Sequence, residues 1–372
     1  MSRTVETEVL VIGGGGAGCS TALHLALRGA KVVLLERGLV GSQASGANYG
    51  GVRQQGRHPA ELPIAQRSHA IWRDMPRLLG TDCEFVATGH LKLARSAADE
   101  TDLVAYLDVA RDFQLPVRFL DRATLHRDYP WLGPSIVAAS FAPEDGSANP
   151  RLLSPALAQA ARAAGATIRE QIRVTACRKD GAQFVVEAGE AIFRAEILVN
   201  TAGFWGGQVA EWFDEPVPVK PHTPNMGVTE PIPYFIRPNI GVAGGGIYLR
   251  QIPRGNVIFG GGRGSGDPAV PFSRATPEAT LAAMRKAVEI VPTLAGVSVI
   301  RSWSGIDGMM PDAIPVVGPS STTPGLFHAF GFSGHGFQLG PAIGAILSEL
   351  VLDGRTDVPL EELSIRRFQH SP

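Results

Sequence analysis

The stretch VLVIGGGGAGCSTALHLALRGAKVVLLER, residues 9–37, decides the fold. Glu8 to Ile12 is a short β-branched and aliphatic run. Gly13, Gly15 and Gly18 follow at G-x-G-x-x-G spacing, directly before a helical stretch from Ala17 to Arg28. Gly29 closes that helix, Lys31 to Leu35 is a second apolar run, and Glu36 comes eighteen positions after Gly18. Strand, glycine turn, helix, strand and acid in this order are the pattern of a dinucleotide-binding βαβ unit. Gly13 permits the tight turn, Gly15 lets the backbone approach a pyrophosphate, and Gly18 lets helix and strand pack closely. The helix start supplies free N–H groups and a positive dipole end, and Glu36 is placed to accept from a ribose diol.

Working outward, residues 40–53 (VGSQASGANYGGVR) are too rich in Gly, Ser, Ala and Asn for a core strand and too long for a simple turn. Small residues let backbone N–H groups converge on a phosphate or a flat heterocycle, and Arg53 adds a fixed charge, so this loop is expected against the cofactor. Leu62 to Leu79 has helical spacing, Phe85 to Leu93 reads as a strand bent at Gly89, and Ala97 to Phe113 reads as a helix. Nothing in 80–145 suggests nucleotide chemistry, which marks the start of a second domain. After a helix from Asn149 to Ala164 come strands at Ala191 to Phe193 and Ile197 to Asn200, the last emptying into TAGFWGG. That is the strand-end geometry at which doubly wound folds bind ligands.

From Pro216 to Arg301 prolines and glycines recur at short spacing, with strands at Gly246 to Gln251 and Asn256 to Gly260, as in an antiparallel sheet. Alternation in GIYLR, residues 246–250, places Tyr248 and Arg250 on one face. In the tail, GFSGHGFQLG at 331–340 opens a helix placed from Pro341 to Leu352. A second glycine loop at a helix start fits a cofactor with a second, distant end.

The composition narrows the function class. At 372 residues and 44% hydrophobic content the chain can bury a sizeable core, and a formal net charge of −1 with 19% charged residues offers no electrostatic case for nucleic acid or an anionic membrane. Cys19, Cys83 and Cys177 are widely spaced, with no C-x-x-C pair for a metal or redox disulfide, which fits a reducing cytoplasm. No segment is apolar for long enough to span a membrane. Nothing in the sequence sets an oligomeric state.

Taken together, VIGGGGAG to Glu36, ASGANYGGVR, DGSANP, VNTAGFW, MPDAIPVVG and GFSGHGF, in this order over nearly the full length, resemble the flavin-dependent amine oxidase family that includes D-amino acid, glycine and sarcosine oxidases. The glycine and sarcosine oxidase branch looks closest. The resemblance implies an α/β fold, with an FAD-binding Rossmann-like domain of the glutathione reductase type (1–80, 146–215, 305–372) interleaved with an antiparallel-sheet α+β substrate domain (81–145, 216–304). It implies FAD, along which Gly16, Ala17, Glu36 and Arg37 lie at the ADP portion and Ala44, Ser45, Tyr49, Gly50 and Gly51 toward the flavin. Val174 is implied at the adenine. Ala202, Gly203 and the segment Phe332, Gly334, His335, Gly336, Phe337, Gln338 close over the cofactor, with the amides of Gln338 and Leu339 directed at the flavin pyrimidine edge.

The implied reaction is hydride transfer from the carbon next to an amine of glycine or an N-substituted glycine such as sarcosine or an N-carboxymethyl amino acid. The imine then hydrolyses to glyoxylate and amine, and O2 is reduced to H2O2. The chain departs from these relatives at their carboxylate anchors. Glycine oxidases carry an arginine where it has Asp307 and another where it has Gly334, and sarcosine enzymes carry a lysine where it has Gln338. Tyr248 matches a substrate-contacting tyrosine, Arg250 is the leading replacement anchor, and Arg53, matching an arginine beside the flavin of sarcosine oxidase, is the second. His335 is read as hydrogen-bonding the backbone through its ring. No counterpart of the flavin-attaching cysteine of monomeric sarcosine oxidase lies near Gly305, so FAD is expected to be non-covalent. The alternatives are the flavin subunit of a heteromeric amino-acid or opine dehydrogenase, and a non-catalytic flavoprotein assembly factor.

Overall fold

A computed structural model describes residues 3–369. Two eight-stranded sheets carry the chain. The first has the order Val316–Pro319, Leu326–Phe330, Ala191–Asn200, Arg3–Ile12, Val32–Leu35, Thr167–Arg169, and the hairpin Val174–Asp180/Gln183–Ala188 extends from the Ala191–Asn200 strand. Its centre is parallel: Val9 pairs with Val32 on one side and Ile197 on the other, and Ile12 with Leu35 and Asn200. All four residues of Val32–Leu35 are buried, as expected of a parallel strand covered on both faces.

The second sheet runs Val299–Trp303, Pro224–Pro231, Asn256–Arg263, Tyr248–Gln251, Asn239–Val242, His90–Ala94, Ala138–Ala142, Arg118–Leu120. Only Asn239–Val242 and His90–Ala94 pair in parallel within it. Leu91, Leu93, Ile240, Leu249, Val257 and Phe259 bury one face beneath the helix Pro277–Ile290.

The helix Gly16–Leu27 lies against the last helix, Gly336–Asp353, and against Pro150–Ala163. The crossing is close because Gly340 and Gly344 lack side chains. A Cβ at Gly340 would lie 3.2 Å from Ala17 N, and one at Gly344 would run into Ser20. Ser20 Oγ donates to Pro341 O at 2.9 Å. Both helix starts therefore open toward one region of the molecule.

Several elements differ from the sequence reading. The last helix starts at Gly336, so Pro341 sits inside it. Leu62–Leu79 is two helices, Leu62–Arg73 and Met75–Leu79, broken at Asp74 because Pro76 has no amide for the carbonyl one turn back. Residues 40–53 hold a short helix, Ala44–Ala47, and a strand, Gly51–Val52, paired with Gly146–Ser147. Ala191–Asn200 is one strand instead of two, and the expected strand from Phe85 is regular only over His90–Ala94.

Candidate active site

A cavity of about 550 Å³ runs from the first glycine turn to the second sheet. At its first end Gly13 has φ +106°, a conformation that favours glycine, and a Cβ there would strike the Thr201 carbonyl. A Cβ at Gly15 would lie 2.9 Å from Ser45 Oγ, the hydroxyl that accepts from Gly16 N–H at 3.0 Å. Glu36 is buried, with Oε2 accepting from Gly14 N–H and Oε1 from Gly38 N–H, each at 2.7 Å. Burial raises its pKa, against the pull of those two amides. The Arg37 guanidinium stacks 4.3 Å over the Trp205 ring, and Trp205 Nε1 donates to Pro268 O at 3.1 Å, roofing this end with the Ser265–Arg274 hairpin. The glycine cradle, the hydroxyl at the helix start and the acid with capacity left on both oxygens fit the phosphates and ribose of FAD.

Of the residues expected at the cofactor, Gly13, Gly15, Gly16, Ala17, Glu36 and Arg37 line the cavity, as do Ala44, Ser45, Tyr49, Gly51, Val174, Ala202 and Gly203. So do Phe332, Gly334, His335, Gly336 and Phe337. Gly18 and Gly50 lie behind the wall, where a side chain would strike Gly13 O and Ala148 O respectively. Gln338 and Leu339 are fully buried outside the cavity. The Gln338 side chain donates to Ala65 O at 2.9 Å, the backbone carbonyl of Gln338 accepts from Ser68 Oγ and Trp72 Nε1, and Leu339 N–H already donates to His335 O. Starting the helix at Gly336 shifts its unpaired amides upstream, to Gly336, Phe337 and Gln338.

His335 does not use its ring on the backbone. Nδ1 lies 2.8 and 3.0 Å from the two carboxylate oxygens of the fully buried Glu61. Burial, reinforced by the charge of Arg57, pushes His335 down to about 4. Burial works to raise Glu61, but its bond to His335 and the charges of His335 and Arg57 hold it below the usual carboxylate range. At neutral pH a carboxylate thus accepts from a neutral imidazole, which fixes the tautomer with Nδ1–H and leaves Nε2 as an acceptor.

The far end gathers three cations, Arg53, Arg57 and Lys92. Gly56 makes room for them with φ +74°, and a Cβ there would lie 3.2 Å from Lys92 Nζ and 3.3 Å from Arg53 Nη1. Arg57 is 3% exposed, donates through Nε to Arg53 O at 3.3 Å, and has Nη1 buried without a partner. Burial, then the charge of Arg53, pulls Arg57 down to about 9, and the same two causes lower Lys92. The neighbouring acids are occupied, Glu61 by His335 and Asp145 by the amides of Gln54 and Gln55 at 2.8 and 3.1 Å. The sequence reading had singled out Arg53 alone. The available signal was the alternation of His90 and Lys92 with Leu91 and Leu93, which puts Lys92 opposite the core face.

Arg250 is not part of this end. It is 6% exposed and absent from the cavity wall, because Nε donates to Tyr49 O, Nη1 to Ser147 Oγ at 3.2 Å and Nη2 to Ala148 O at 3.1 Å. It ties the 44–53 loop to the second sheet. Tyr248 does line the cavity, its ring centroid 4.6 Å from that of Tyr49, and its hydroxyl donates to Met226 Sδ at 3.3 Å. Asp307 lines the same region, with Oδ1 accepting from Gly308 N–H at 2.9 Å; burial pushes it up to about 6 against the Gly308 and Gly334 amides.

None of Cys19, Cys83 and Cys177 lines the cavity. Among the described residues no group of three or more His, Cys, Asp and Glu side chains is placed to hold a metal ion, and no helix is long and apolar enough to cross a membrane.

Residues 8–350 match the profile of the family described as FAD dependent oxidoreductase. The glycine oxidase of Geobacillus kaustophilus is 28% identical over 98% of this chain and 98% of its own. The crystal structure of glycine oxidase from that organism superposes with a TM-score of 0.90 at 25% identity, covering 99% and 100% of the two chains. L-proline dehydrogenase from P. horikoshii superposes with a TM-score of 0.88 at 27% identity over 99% of each chain. The sarcosine oxidase subunit beta of Rhizobium meliloti is 25% identical over 97% of this chain and 88% of its own. The chain belongs to the FAD-dependent oxidoreductase family and is an enzyme that uses FAD.

Proposed function

We propose that this FAD-dependent amine oxidoreductase oxidises glycine-type amines, an N-substituted glycine foremost, and holds the substrate carboxylate on Arg57, Arg53 and Lys92. The observation that carries this reading is Arg57: a guanidinium nitrogen buried in a cavity wall without a partner calls for an anion from the ligand. The cations replace Arg250, whose nitrogens are committed to Tyr49, Ser147 and Ala148.

Bound FAD supplies the acceptor for the hydride leaving the carbon next to the amine. The protein's own work is placement. Arg57 fixes one end of the carboxylate, with Arg53 and Lys92 beside it. The Tyr49 and Tyr248 rings wall the reacting carbon and exclude water. The imine product hydrolyses to glyoxylate and an amine, with O2 taken as the final oxidant. Similarity to glycine oxidase supports that acceptor.

A panel of N-substituted glycines, assayed for peroxide release, tests the reading. Turnover of sarcosine or an N-carboxymethyl amino acid above that of uncharged amines of the same size is expected, and equal turnover of the uncharged amines would discard the carboxylate pole. Likeness to L-proline dehydrogenase and to a sarcosine oxidase subunit favours a second reading, a flavin subunit that passes electrons to a partner. Stopped-flow reoxidation separates the two, since slow reaction of the reduced enzyme with O2 selects the dehydrogenase.

A further inference from the structure

We infer that Asp307 receives the substrate amine as an ammonium ion while the three cations take the carboxylate, so that the cavity reads both charges of a zwitterion. This rests on the carboxylate reading above and adds the second charge. Asp307 is a carboxylate in the cavity wall whose protein partners are backbone amides, and among the described residues no Lys, Arg or His forms an ion pair with it. A half-buried carboxylate without a counter-ion is costly, as is a buried guanidinium with an unpartnered nitrogen, and the two line one cavity. A ligand carrying both charges relieves both costs at once.

The surroundings of Asp307 offer no competing cation. Its register partner on the paired strand is His222, which burial and then Arg263 keep neutral. Tyr248, from the second sheet, faces it with a phenol raised by burial and by the charges of Tyr49 and Asp307, so it stays protonated. Tyr49, from the 44–53 loop, is likewise raised by burial. The 332–337 loop contributes the Gly334 amide. With its pKa pushed up to about 6, Asp307 is also placed to take one proton. The N–H bond breaks, an O–H bond forms on the carboxylate, and the freed nitrogen lone pair is then available to form C=N as the hydride leaves.

The test uses the FAD-loaded enzyme and two isosteric ligands. N,N-dimethylglycine presents N–H⁺ where 3-methylbutanoate presents C–H, and both carry the carboxylate. Binding is read under anaerobic conditions from the first perturbation of the oxidised flavin spectrum. The wild type is expected to prefer dimethylglycine by about tenfold or more, as for a hydrogen bond to a charged group. Asp307→Asn is expected to erase that preference, and Asp307→Glu to restore part of it. Flavin content and circular dichroism confirm that each variant is folded. A preference that survives in Asp307→Asn, or is absent from the wild type, overturns the role of Asp307. Failure of the wild type to bind 3-methylbutanoate instead overturns the carboxylate pole.

Discussion

At the scale of single residues, two arginines divide the labour that the sequence reading gave to one. Tyr248 and Arg250 do share a strand face, but two residues along a strand is about 7 Å. That is far enough for Tyr248 to reach the cavity while Arg250 lies under the loop. The same alternation marked Lys92, but separating it from a solvated lysine requires knowing that its face meets Gly56. The variants should therefore split. Arg57→Met is expected to lower kcat/KM for carboxylate substrates roughly ten- to a hundredfold, the loss of a charged hydrogen bond, with little change in melting temperature. Arg250→Met should behave in the opposite way. It leaves the Tyr49 and Ala148 carbonyls unpaired, at a stability cost of about 1–3 kcal/mol seen in urea unfolding, and keeps the relative preference among substrates. A selective KM effect from Arg250→Met would return the anchor to that residue.

At the scale of elements, the first βαβ unit was legible because strand, turn and helix each announce themselves within thirty residues. The last helix is misplaced by five residues because Pro341 is favoured at a first turn, while in this helix it sits inside and withholds the amide that the Phe337 carbonyl would accept. The Ala191–Asn200 strand reads as two because Arg194-Ala195-Glu196 interrupts its apolar run; Arg194 and Ala195 pair with Glu6 and Thr7 all the same, and Glu196 is exposed. What no local pattern revealed is the contact between the first and last helices. Gly344→Val tests it: the added side chain meets the Ser20 backbone, and overpacking of this kind costs about 1–3 kcal/mol. Loss of FAD on gel filtration should accompany the lower melting temperature, since both helix starts line the cavity. Retention of wild-type stability would mean that the helices can move apart freely.

At the scale of the whole molecule, the strands of the first sheet come from 1–80, 146–215 and 305–372 and those of the second from 81–145 and 216–304, so the chain passes between the sheets repeatedly. Charge buried in this weave sets the response to acid. His24 and His335 are both pushed down to about 4 by burial, and burial also holds His90 well below its usual range. An unfolded histidine titrates near 6.5. Between those values the unfolded chain binds more protons, so stability is lost as pH falls from about 6.5 to 4. Asp307, pushed up by burial to about 6, acts in the reverse sense, contributing at low pH and losing that contribution as pH rises through 6. Glu36 and Asp145, also raised by burial, act with Asp307, and His222, lowered by burial, acts with the other three histidines. Four histidines against three carboxylates leave the histidines ahead, and the urea midpoint is expected to be lower at pH 5 than at pH 7. A higher midpoint at pH 5 would show that the histidines are charged in the folded state.

The closely crossed first and last helices also carry a consequence for biosynthesis. Leu23, Leu25 and Ala26 of the first helix are buried in the finished protein, and of the two helices that pack on it the later one begins at Gly336. At roughly 5–20 residues per second, a ribosome needs about 15–60 s to deliver that partner. Throughout that interval the nascent chain presents a greasy helix with its lid still unmade. Co-translational chaperone binding should concentrate on this N-terminal segment, and flavin capture must wait until the helix from Gly336 has emerged.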